Sequence, residues 1–363
     1  MLFRSVVVAG VFCPGILPTK ISATDASSLP DLSKGQYSTG TVTSDGFVVN
    51  ISGGSFDSAW GEGDVLTVGA NSYLVASRVS STQLLLQSWQ TVTSFTAESF
   101  TLERAYSSIA SWEAATSNDL VAAEQRNFGV CYEDMDPGSF STITVSGAVT
   151  NEDYYRRLYA AVGHRHLGRF DAGAATASKF TITEPHFRME FLRITNPIPI
   201  AGSFGDVYII DCLGGTGRGY CTFNSILIHD WQLGTDDSLA NNRYFFGMRL
   251  SSNKGCRVLN SAVVGLTKIN NDGDGGGLSG IFIGGTSAEP NYIANCAVLN
   301  LYWSANYMKA DGGITANANT YVYNCIGAVR KYVHDESSIQ NIQPYGSLLY
   351  AEDYSYDFSA IYR

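Results

Sequence analysis

Short runs of Val, Ile, Leu, Thr and aromatic residues fill most of this chain of 363 residues, and Gly, Ser, Asp or Asn interrupts each run after a few positions. Between residues 37 and 105 such runs occupy 41–43, 47–49, 65–68, 73–76, 83–86 and 100–102. Runs of this length bounded by turn residues are typical of strands joined by tight connections. The pattern therefore predicts a small antiparallel β module over residues 37–105.

The spacing of apolar residues changes between residues 106 and 128. Ile109, Trp112 and Ala115, followed by Leu120, recur every three to five positions, and Ser108 stands where an N-cap belongs. This spacing predicts a helix. Because a strand-rich segment follows it, we expect the helix to cover the open end of a stack of strands.

An internal repeat marks the segment after Gly129. Its copies end in Asn followed by a small residue and then a short apolar run, and the Asn positions lie 36, 35 and 29 residues apart. A repeat of this length is typical of a solenoid. We therefore expect an all-β fold whose main body, residues 129–346, is a right-handed parallel β-helix preceded by the β module and the capping helix.

Each repeated Asn is expected to form the bend between two strands of a coil, because Asn tolerates the left-handed backbone conformation. Side chains of successive coils lie above one another, so the amides can hydrogen-bond in a ladder and the next residues can form an inward column of small side chains. The predicted ladder is Asn224, Asn260, Asn295 and Asn324. The predicted inward column is Ser225, Ser261, Cys296 and Cys325.

The two termini lack a periodic core pattern. Residues 1–36 contain Arg4, an apolar stretch at 6–11 and the interruption Cys13-Pro14-Gly15, which favours an extended arm, with a secretory signal as the alternative. Residues 347–363 are predicted as a C-terminal tail. No run of 18 apolar residues occurs, so a membrane span is not expected.

Charge and cysteine usage exclude several function classes. A formal net charge of -10 without a basic cluster argues against nucleic acid as a partner, although a polyanionic sugar could bind at a local cationic spot. The seven cysteines are scattered and contain no CxxC pair, which argues against a disulfide framework and a zinc site. We therefore expect no metal and no cofactor, and the cysteines are interpreted as small core residues.

Three groups of residues could carry chemistry. His164-Arg165-His166 could present two imidazoles, but a polar turn is the preferred interpretation because no third ligand is spaced to join them. Asp272-Gly273-Asp274 could bind calcium but lacks the complete twelve-residue loop. Glycoside hydrolysis would need a pair of loop carboxylates, and aromatic residues could stack on sugars or pack between subunits. The carboxylates considered are Asp230, Asp236, Asp237, Glu289 and Asp311; the aromatics are Trp231, Tyr244, Phe245, Phe246, Tyr302, Trp303 and Tyr307.

Two stretches resemble known families. Gly63-Asp64-Val65-Leu66-Thr67-Val68, with Tyr73-Leu74-Val75-Ala76-Ser77-Arg78-Val79-Ser80 and Thr82-Gln83-Leu84-Leu85-Leu86, resembles a β module near the N-terminus of bacteriophage virion proteins. Tyr106 to Ala115, Gly163 to Asp171 and the Asn-Cys repeats are similar to right-handed β-helix proteins of phages and prophages. The resemblance implies a fold more firmly than a function.

The resemblance implies a structural component of a tailed-phage virion, either a tail spike or fibre or a capsid decoration protein. The β-helix would be a projecting body and a homotrimer, while the arm and the β module would attach it to other virion proteins. Polysaccharide-cleaving tailspikes share this solenoid, so a depolymerase that acts on host surface polysaccharide remains an alternative, as does a secreted adhesin. Position on the particle and host are not predicted.

Overall fold

In a computed structural model, the protein is described for residues 16–21, 36–133, 140–200, 206–213, 219–233, 244–251, 254–269, 278–284, 289–304, 313–316, 320–331, 344–345, 348–353 and 356–361. Within these ranges the regular structure is β except for one helix. The predicted all-β class is confirmed. Among these residues, no helix is both long and apolar enough to span a bilayer.

The N-terminal elements comprise one strand that joins the solenoid, an eight-stranded antiparallel sheet and the helix. They are β1 (Ile16–Ile21), β2 (Gln36–Tyr37), β3 (Thr41–Ser44), β4 (Val48–Ser52), β5 (Asp64–Val68), β6 (Asn71–Ser80), β7 (Gln83–Leu86), β8 (Phe95–Glu98), β9 (Phe100–Arg104) and α1 (Ile109–Ala115). The sheet order is β2-β9-β5-β6-β7-β4-β3-β8. Alternate residues such as Leu66, Val75 and Leu102 form its core, as the period of two requires.

The remaining strands build a coil stack. They are β10 (Arg126–Cys131), β11 (Thr142–Val145), β12 (Arg156–Ala160), β13 (Ala175–Thr176), β14 (Lys179–Ile182), β15 (Arg188–Glu190), β16 (Arg193–Ile200), β17 (Val207–Leu213), β18 (Thr222–Asn224), β19 (Leu227–Leu233), β20 (Phe245–Ser251), β21 (Arg257–Leu259), β22 (Ala262–Ile269), β23 (Leu278–Gly284), β24 (Asn291–Ala294), β25 (Ala297–Ser304), β26 (Ile314–Ala316), β27 (Thr320–Tyr323), β28 (Ile326–Lys331), β29 (Pro344–Tyr345), β30 (Leu348–Asp353) and β31 (Tyr356–Ile361).

These strands form the three walls of a parallel β-solenoid. Sheet I has the order β1-β10-β12-β15-β18-β21-β24-β27-β29, sheet II β11-β14-β17-β20-β23-β26, and sheet III β13-β16-β19-β22-β25-β28-β30-β31. From β14 to β28 the chain visits sheets II, I and III in turn on every coil. All pairings in these walls are parallel except that between β30 and β31. One continuous apolar cluster fills the interior.

A column of glycines brings sheet II close to sheet III. Gly247, Gly280 and Gly313 occupy equivalent positions on successive coils, as the register of β20, β23 and β26 shows. A Cβ on Gly280 would lie 2.2 Å from Val298 Cγ1, and one on Gly247 would lie 2.7 Å from Val263 Cγ1. The valine methyl groups of sheet III therefore use the space that side chains on these glycines would need.

The helix is shorter than the predicted 106–128. Ser108 caps α1 with a capping box, and Ile109 and Trp112 enter the solenoid cluster at its first coils, where α1 also packs against β11. The helical spacing continues to Leu120, but Leu120 lies in a turn. Its backbone amide donates a hydrogen bond to Val149 O at 3.1 Å. The chain is already extended in β10, which begins before residue 129.

Two segments assigned to the termini belong to the walls of the solenoid. Strand β1, from the predicted arm, pairs in parallel with β10, and β30 and β31, from the predicted tail, continue sheet III. The first and last strands of a parallel sheet present unpaired backbone groups, which an extended segment of any composition can satisfy. That is why periodicity alone did not indicate these strands.

Candidate functional site

The four predicted asparagines form a continuous ladder. Asn260 Nδ2 donates to Asn224 Oδ1 at 2.9 Å, Asn295 Nδ2 donates to Asn260 Oδ1 at 3.0 Å, and Asn324 Nδ2 donates to Asn295 Oδ1 at 2.9 Å. Every amide therefore donates to the preceding coil and accepts from the following one, apart from the two ends. The ladder lies on the exposed side of the bend between sheets I and III.

The bends use the left-handed backbone conformation, with φ of 50° at Asn260, 55° at Asn295 and 47° at Asn324. On the earliest of these coils, Ser225 takes that conformation instead, with φ of 54°. Asn224 is the last residue of β18 and pairs with Leu259. The weakest repeat is therefore displaced by one residue, and the Asn224 side chain reaches the ladder from the neighbouring position.

The displacement corrects the predicted inward column. Ser225 occupies the bend, so Ile226 takes the inward position on this coil. The inward column is therefore Ile226, Ser261, Cys296 and Cys325. Ser261 Oγ accepts from Ile226 N at 3.1 Å, and Cys325 Sγ accepts from Cys296 N at 3.5 Å. Both cysteines are free thiols.

A set of buried contacts joins the β module to the first coils. Glu62 accepts hydrogen bonds from Tyr132 Oη at its backbone oxygen (3.0 Å) and from Tyr159 Oη at Oε1 (2.6 Å). Burial raises the pKa of Glu62, and the Tyr159 hydrogen bond opposes that shift. The Arg104 guanidinium lies 4.5 Å from the Trp60 ring centroid and 5.3 Å from that of Tyr132. We call these five residues the module junction.

A second buried network fixes α1 on the stack. Arg156 is fully buried, donates from Nε to Glu184 Oε1 at 2.8 Å and lies 3.3 Å from Glu113 Oε1. Its Nη1 donates to the backbone oxygen of Glu113, near the helix C-terminus, where a cation is favoured. Arg156 Cζ also lies 5.7 Å from the Trp112 ring. Sequence reasoning missed this arginine, because a lone Arg in a strand carries no spacing signal.

The two imidazoles considered for a metal pair have different structural partners. His164 packs on Tyr132 with ring centroids 4.7 Å apart, and its Nε2 lies 3.3 Å from Ser58 O. His166 Nε2 lies 2.7 Å from Ser225 O, and its Nδ1 accepts from Gly168 N. Burial lowers the pKa of His166. The geometry agrees with the interpretation of this segment as a polar turn.

Of the carboxylates considered for catalysis, the structure describes Asp230 and Glu289, and each has its own polar partner. Asp230 Oδ2 lies 2.7 Å from His229 Nδ1, and Glu289 Oε1 accepts from Tyr220 Oη at 2.5 Å. Asp236, Asp237, Asp272, Asp274 and Asp311 lie outside the described residues, so the calcium loop and most of the glycosidase candidates do too. A carboxylate held by a polar neighbour serves as a local anchor, which is the simplest role for Asp230 and Glu289 here.

The outer walls carry groups of aromatic and arginine side chains, and of those named here the sequence patterns singled out only Phe246. On sheet II, Phe246 stacks on Phe282 at 5.0 Å, and Arg249 Cζ lies 3.4 Å from the Tyr208 centroid. On sheet I, three tyrosines stack in sequence, with centroids 5.5 Å and 6.1 Å apart, and Arg257 lies beside the first. We call them the tyrosine stack: Tyr292, Tyr321 and Tyr323.

The aromatics that were predicted as candidates divide into two groups. Trp231 and Phe245 are fully buried, and Trp231 Nε1 donates to Ile194 O, so they stabilise the core. Phe246 is nearly buried, whereas Tyr244 is exposed. Nothing is described for Tyr307 or for the side chains of Tyr302 and Trp303.

Three cysteine sulfurs meet inside the stack. The Sγ atoms of Cys212, Cys221 and Cys256 all lie within 4.8 Å of one another, and all three residues are buried. Hydrogen bonds from the Cys212 and Cys221 thiols lower the pKa of Cys256, whereas hydrogen bonding with Cys221 and Cys256, together with burial, raises the pKa of Cys212. The sequence offered no CxxC spacing that would have indicated this group.

Comparisons with known proteins supply no function for this chain, so function is inferred from the fold and from these sites. No family model, no curated protein and no solved structure matches the chain. The class that the geometry defines is a parallel β-solenoid with an antiparallel β module fastened at its first coils.

Proposed function

We propose that this protein is a structural component of a tailed-phage virion, with the β module and the segment before it attached to other virion proteins and the solenoid projecting as a rigid body. The observation that carries the proposal is the module junction. Its tyrosines and arginine are buried and its glutamate is half-buried where the two parts meet, which supports one fixed orientation of the module on the stack. A module that attaches a projecting solenoid to a particle can set its direction only if the two are held at a fixed angle.

The architecture of the coils supports a mechanical role. Each coil pairs its strands with those of both neighbours, and the asparagine ladder adds a side-chain connection along the axis. In a solenoid, stiffness follows from this nearest-neighbour pairing, because bending the axis strains every wall at once. We expect a homotrimer, which size-exclusion chromatography with light scattering measures directly.

Incorporation into particles tests the proposal. Purified virions of the source phage should contain the polypeptide by mass spectrometry, and Arg104→Met should lower its incorporation because it removes the cation from the module junction. Arg169→Ala is the matched control, since Arg169 forms an exposed ion pair with Asp171 and is not a residue of the module junction. Virions that lack the polypeptide would overturn the proposal, as would undiminished incorporation of a folded Arg104→Met variant.

The tyrosine stack favours a second candidate function, the binding and cleavage of host surface polysaccharide by a tailspike. The row of partly exposed tyrosines offers ring surface and hydroxyl groups to successive sugar rings, and Arg257 beside it offers a cation to the acidic groups that many surface polysaccharides carry. Incubation with host capsule or lipopolysaccharide tests it: released oligosaccharide, reduced in a Tyr321→Ala variant, supports this function. Binding without release supports adhesion only, and absence of binding removes the candidate.

A further inference from the structure

The three buried cysteines come from two different walls of the solenoid. Cys212 lies on β17 of sheet II, Cys221 directly precedes β18 of sheet I on the same coil, and Cys256 directly precedes β21 one coil later. The amide of Arg257 donates to Cys221 O at 2.9 Å, which fixes Cys256 directly above Cys221. The cluster therefore lies at the corner between sheets II and I.

In the two columns that hold the cluster, the coils before and after it carry other residues at the same positions. In the column of Cys212, the neighbouring coils carry Ile182 and Leu250. In the column of Cys221 and Cys256, the flanking coils carry Phe187 and Asn291. A residue that served packing alone would be expected to resemble its aliphatic and aromatic neighbours in size, because stacked positions of a solenoid face similar space.

We propose that Cys212, Cys221 and Cys256 form a three-coordinate binding site for a single soft cation, Cu(I). Thiolate sulfur is the ligand type that selects Cu(I). Three sulfurs at about 2.3 Å from a central metal lie about 4 Å from one another, and the three Sγ atoms already lie within 4.8 Å of one another. The proposal is independent of any role of the protein in a virion.

The number of ligands distinguishes this site from zinc and from a disulfide. A structural zinc site takes four ligands, but within the described residues no fourth His, Cys, Asp or Glu joins the three cysteines. A disulfide would join two sulfurs at about 2.05 Å and exclude the third, whereas all three cysteines are free thiols here. A trigonal Cu(I) site uses all three sulfurs.

The surroundings suit a low-coordinate metal. Each of the three residues is at most 1% exposed, so water is kept from the additional coordination positions. Cys221 Sγ lies 3.5 Å from Glu184 O and 3.6 Å from Gly219 O, either of which can accept its single thiol hydrogen. On loading, Cu⁺ enters and each sulfur that binds as a thiolate releases its proton to solvent. No electron is transferred.

Titration of the reduced full-length chain with Cu(I) under anaerobic conditions, against a chromogenic Cu(I) chelator, tests the site. We expect one Cu(I) per chain in the tight class, a first shell of three sulfurs by X-ray absorption at the copper edge, and a Tm that rises with loading because the metal binds the folded chain. Zn(II) under the same conditions should bind at least tenfold more weakly.

Matched variants locate the site. Cys212→Ser and Cys256→Ser should each weaken Cu(I) binding at least tenfold and abolish the three-sulfur shell, and Cys212→Ala and Cys256→Ala provide second variants if the serines fail to fold. Cys296→Ser changes a cysteine of the separate pair with Cys325 and should leave binding unchanged. Circular dichroism of the apo variants confirms that each is folded.

Three results would overturn the proposal. The first is tight Cu(I) binding that persists in the Cys212→Ser/Cys221→Ser/Cys256→Ser variant. The second is loss of binding in Cys296→Ser, which would place the metal at the other pair. The third is a wild-type protein that takes no more Cu(I) from the chelator than the triple variant does. In that case the three thiols would serve only as core residues.

Discussion

The capped end of the solenoid and its later coils are built from different interactions. At the capped end, where α1 and the β module meet the first coils, the buried polar groups are charged: Arg156 with Glu113 and Glu184, and Arg104 with Asp64. From β18 to β28, the groups that recur from coil to coil are uncharged amides, thiols and apolar side chains. A buried network of charges requires one particular set of partners. A column of uncharged groups can be extended by the same contact on every added coil.

The energetic consequences differ accordingly. Breaking a buried ion pair by removing one partner costs about 3–5 kcal/mol, because the other charge is left without compensation. One ladder hydrogen bond contributes about 0.5–1.5 kcal/mol net. The stability of the capped end should therefore depend on a few residues, and that of the later coils on many small contributions.

The largest expected effect is that of Arg156→Met. The change leaves the buried Glu184 and the half-buried Glu113 without their cation, so the free energy of unfolding should fall by about 3–5 kcal/mol. Burial already raises the pKa of Glu184 despite the opposing Arg156, so the remaining carboxyl should take up a proton more readily. Denaturant unfolding followed by circular dichroism measures the loss.

Two further variants sharpen this result. Arg169→Ala, which removes an exposed pair with Asp171, should leave the free energy of unfolding nearly unchanged because water screens the pair. Arg156→Met combined with Glu184→Gln should recover part of the loss, because the uncompensated charge is removed. A cost for Arg156→Met no greater than that for Arg169→Ala would contradict the contrast between the two regions.

The next effect concerns the coils. Gly280→Ala should destabilise the protein by about 1–3 kcal/mol, since the added Cβ would lie 2.2 Å from Val298 Cγ1 and 2.8 Å from Gly313 O. The same change in a Val298→Ala background should cost less, and a double-mutant cycle gives the coupling. Additive effects would show that the clash with Val298 is relieved by other movements.

Sequence reasoning recovered the features that repeat along the chain or have a local signature. The ladder followed from the repeated motif at Asn260, Asn295 and Asn324, and the start of α1 followed from the cap at Ser108. The displaced copy at Asn224 was misaligned by one residue, because letters alone cannot separate a bend residue from its neighbour when both are small and polar.

Features that depend on contacts between columns could not be predicted. The cysteine cluster joins residues of two walls, and the loops between walls differ in length, so no constant spacing relates Cys212 to Cys256. Arg156 is recognisable as buried only once α1 is placed above it. Strand β1 pairs through backbone groups, which its sequence does not encode.

A smaller effect separates the two roles of the ladder asparagines. Asn295→Gly keeps easy access to the left-handed conformation but loses both ladder bonds. It should cost about 1 kcal/mol, the lower limit for two bonds, because the amides are exposed and water replaces the lost partners. Asn295→Ala should cost about 1 kcal/mol more, because a Cβ is unfavourable at φ of 55°. Chemical denaturation of the two variants measures both costs. Equal losses would mean that the bend conformation contributes nothing at this coil.

The smallest effect arises from a buried cation within the coils. Lys268 on β22 is 2% exposed, and burial lowers its pKa from 10.5 to about 8, with Asp206 opposing the shift. Above pH 8 the unfolded chain keeps the proton that the folded chain has lost, so stability from this group should rise with pH, by about 1 kcal/mol over the first unit. Unfolding curves of the wild type and Lys268→Met, recorded at pH 7, 8 and 9, isolate the contribution, because other groups titrate equally in both. The two should diverge above pH 8, while Lys254→Met should follow the wild type. If the free energy of unfolding of all three proteins changes with pH in the same way, Lys268 keeps its charge in the folded coils. The later coils would then contain a stabilised buried cation, as the capped end does.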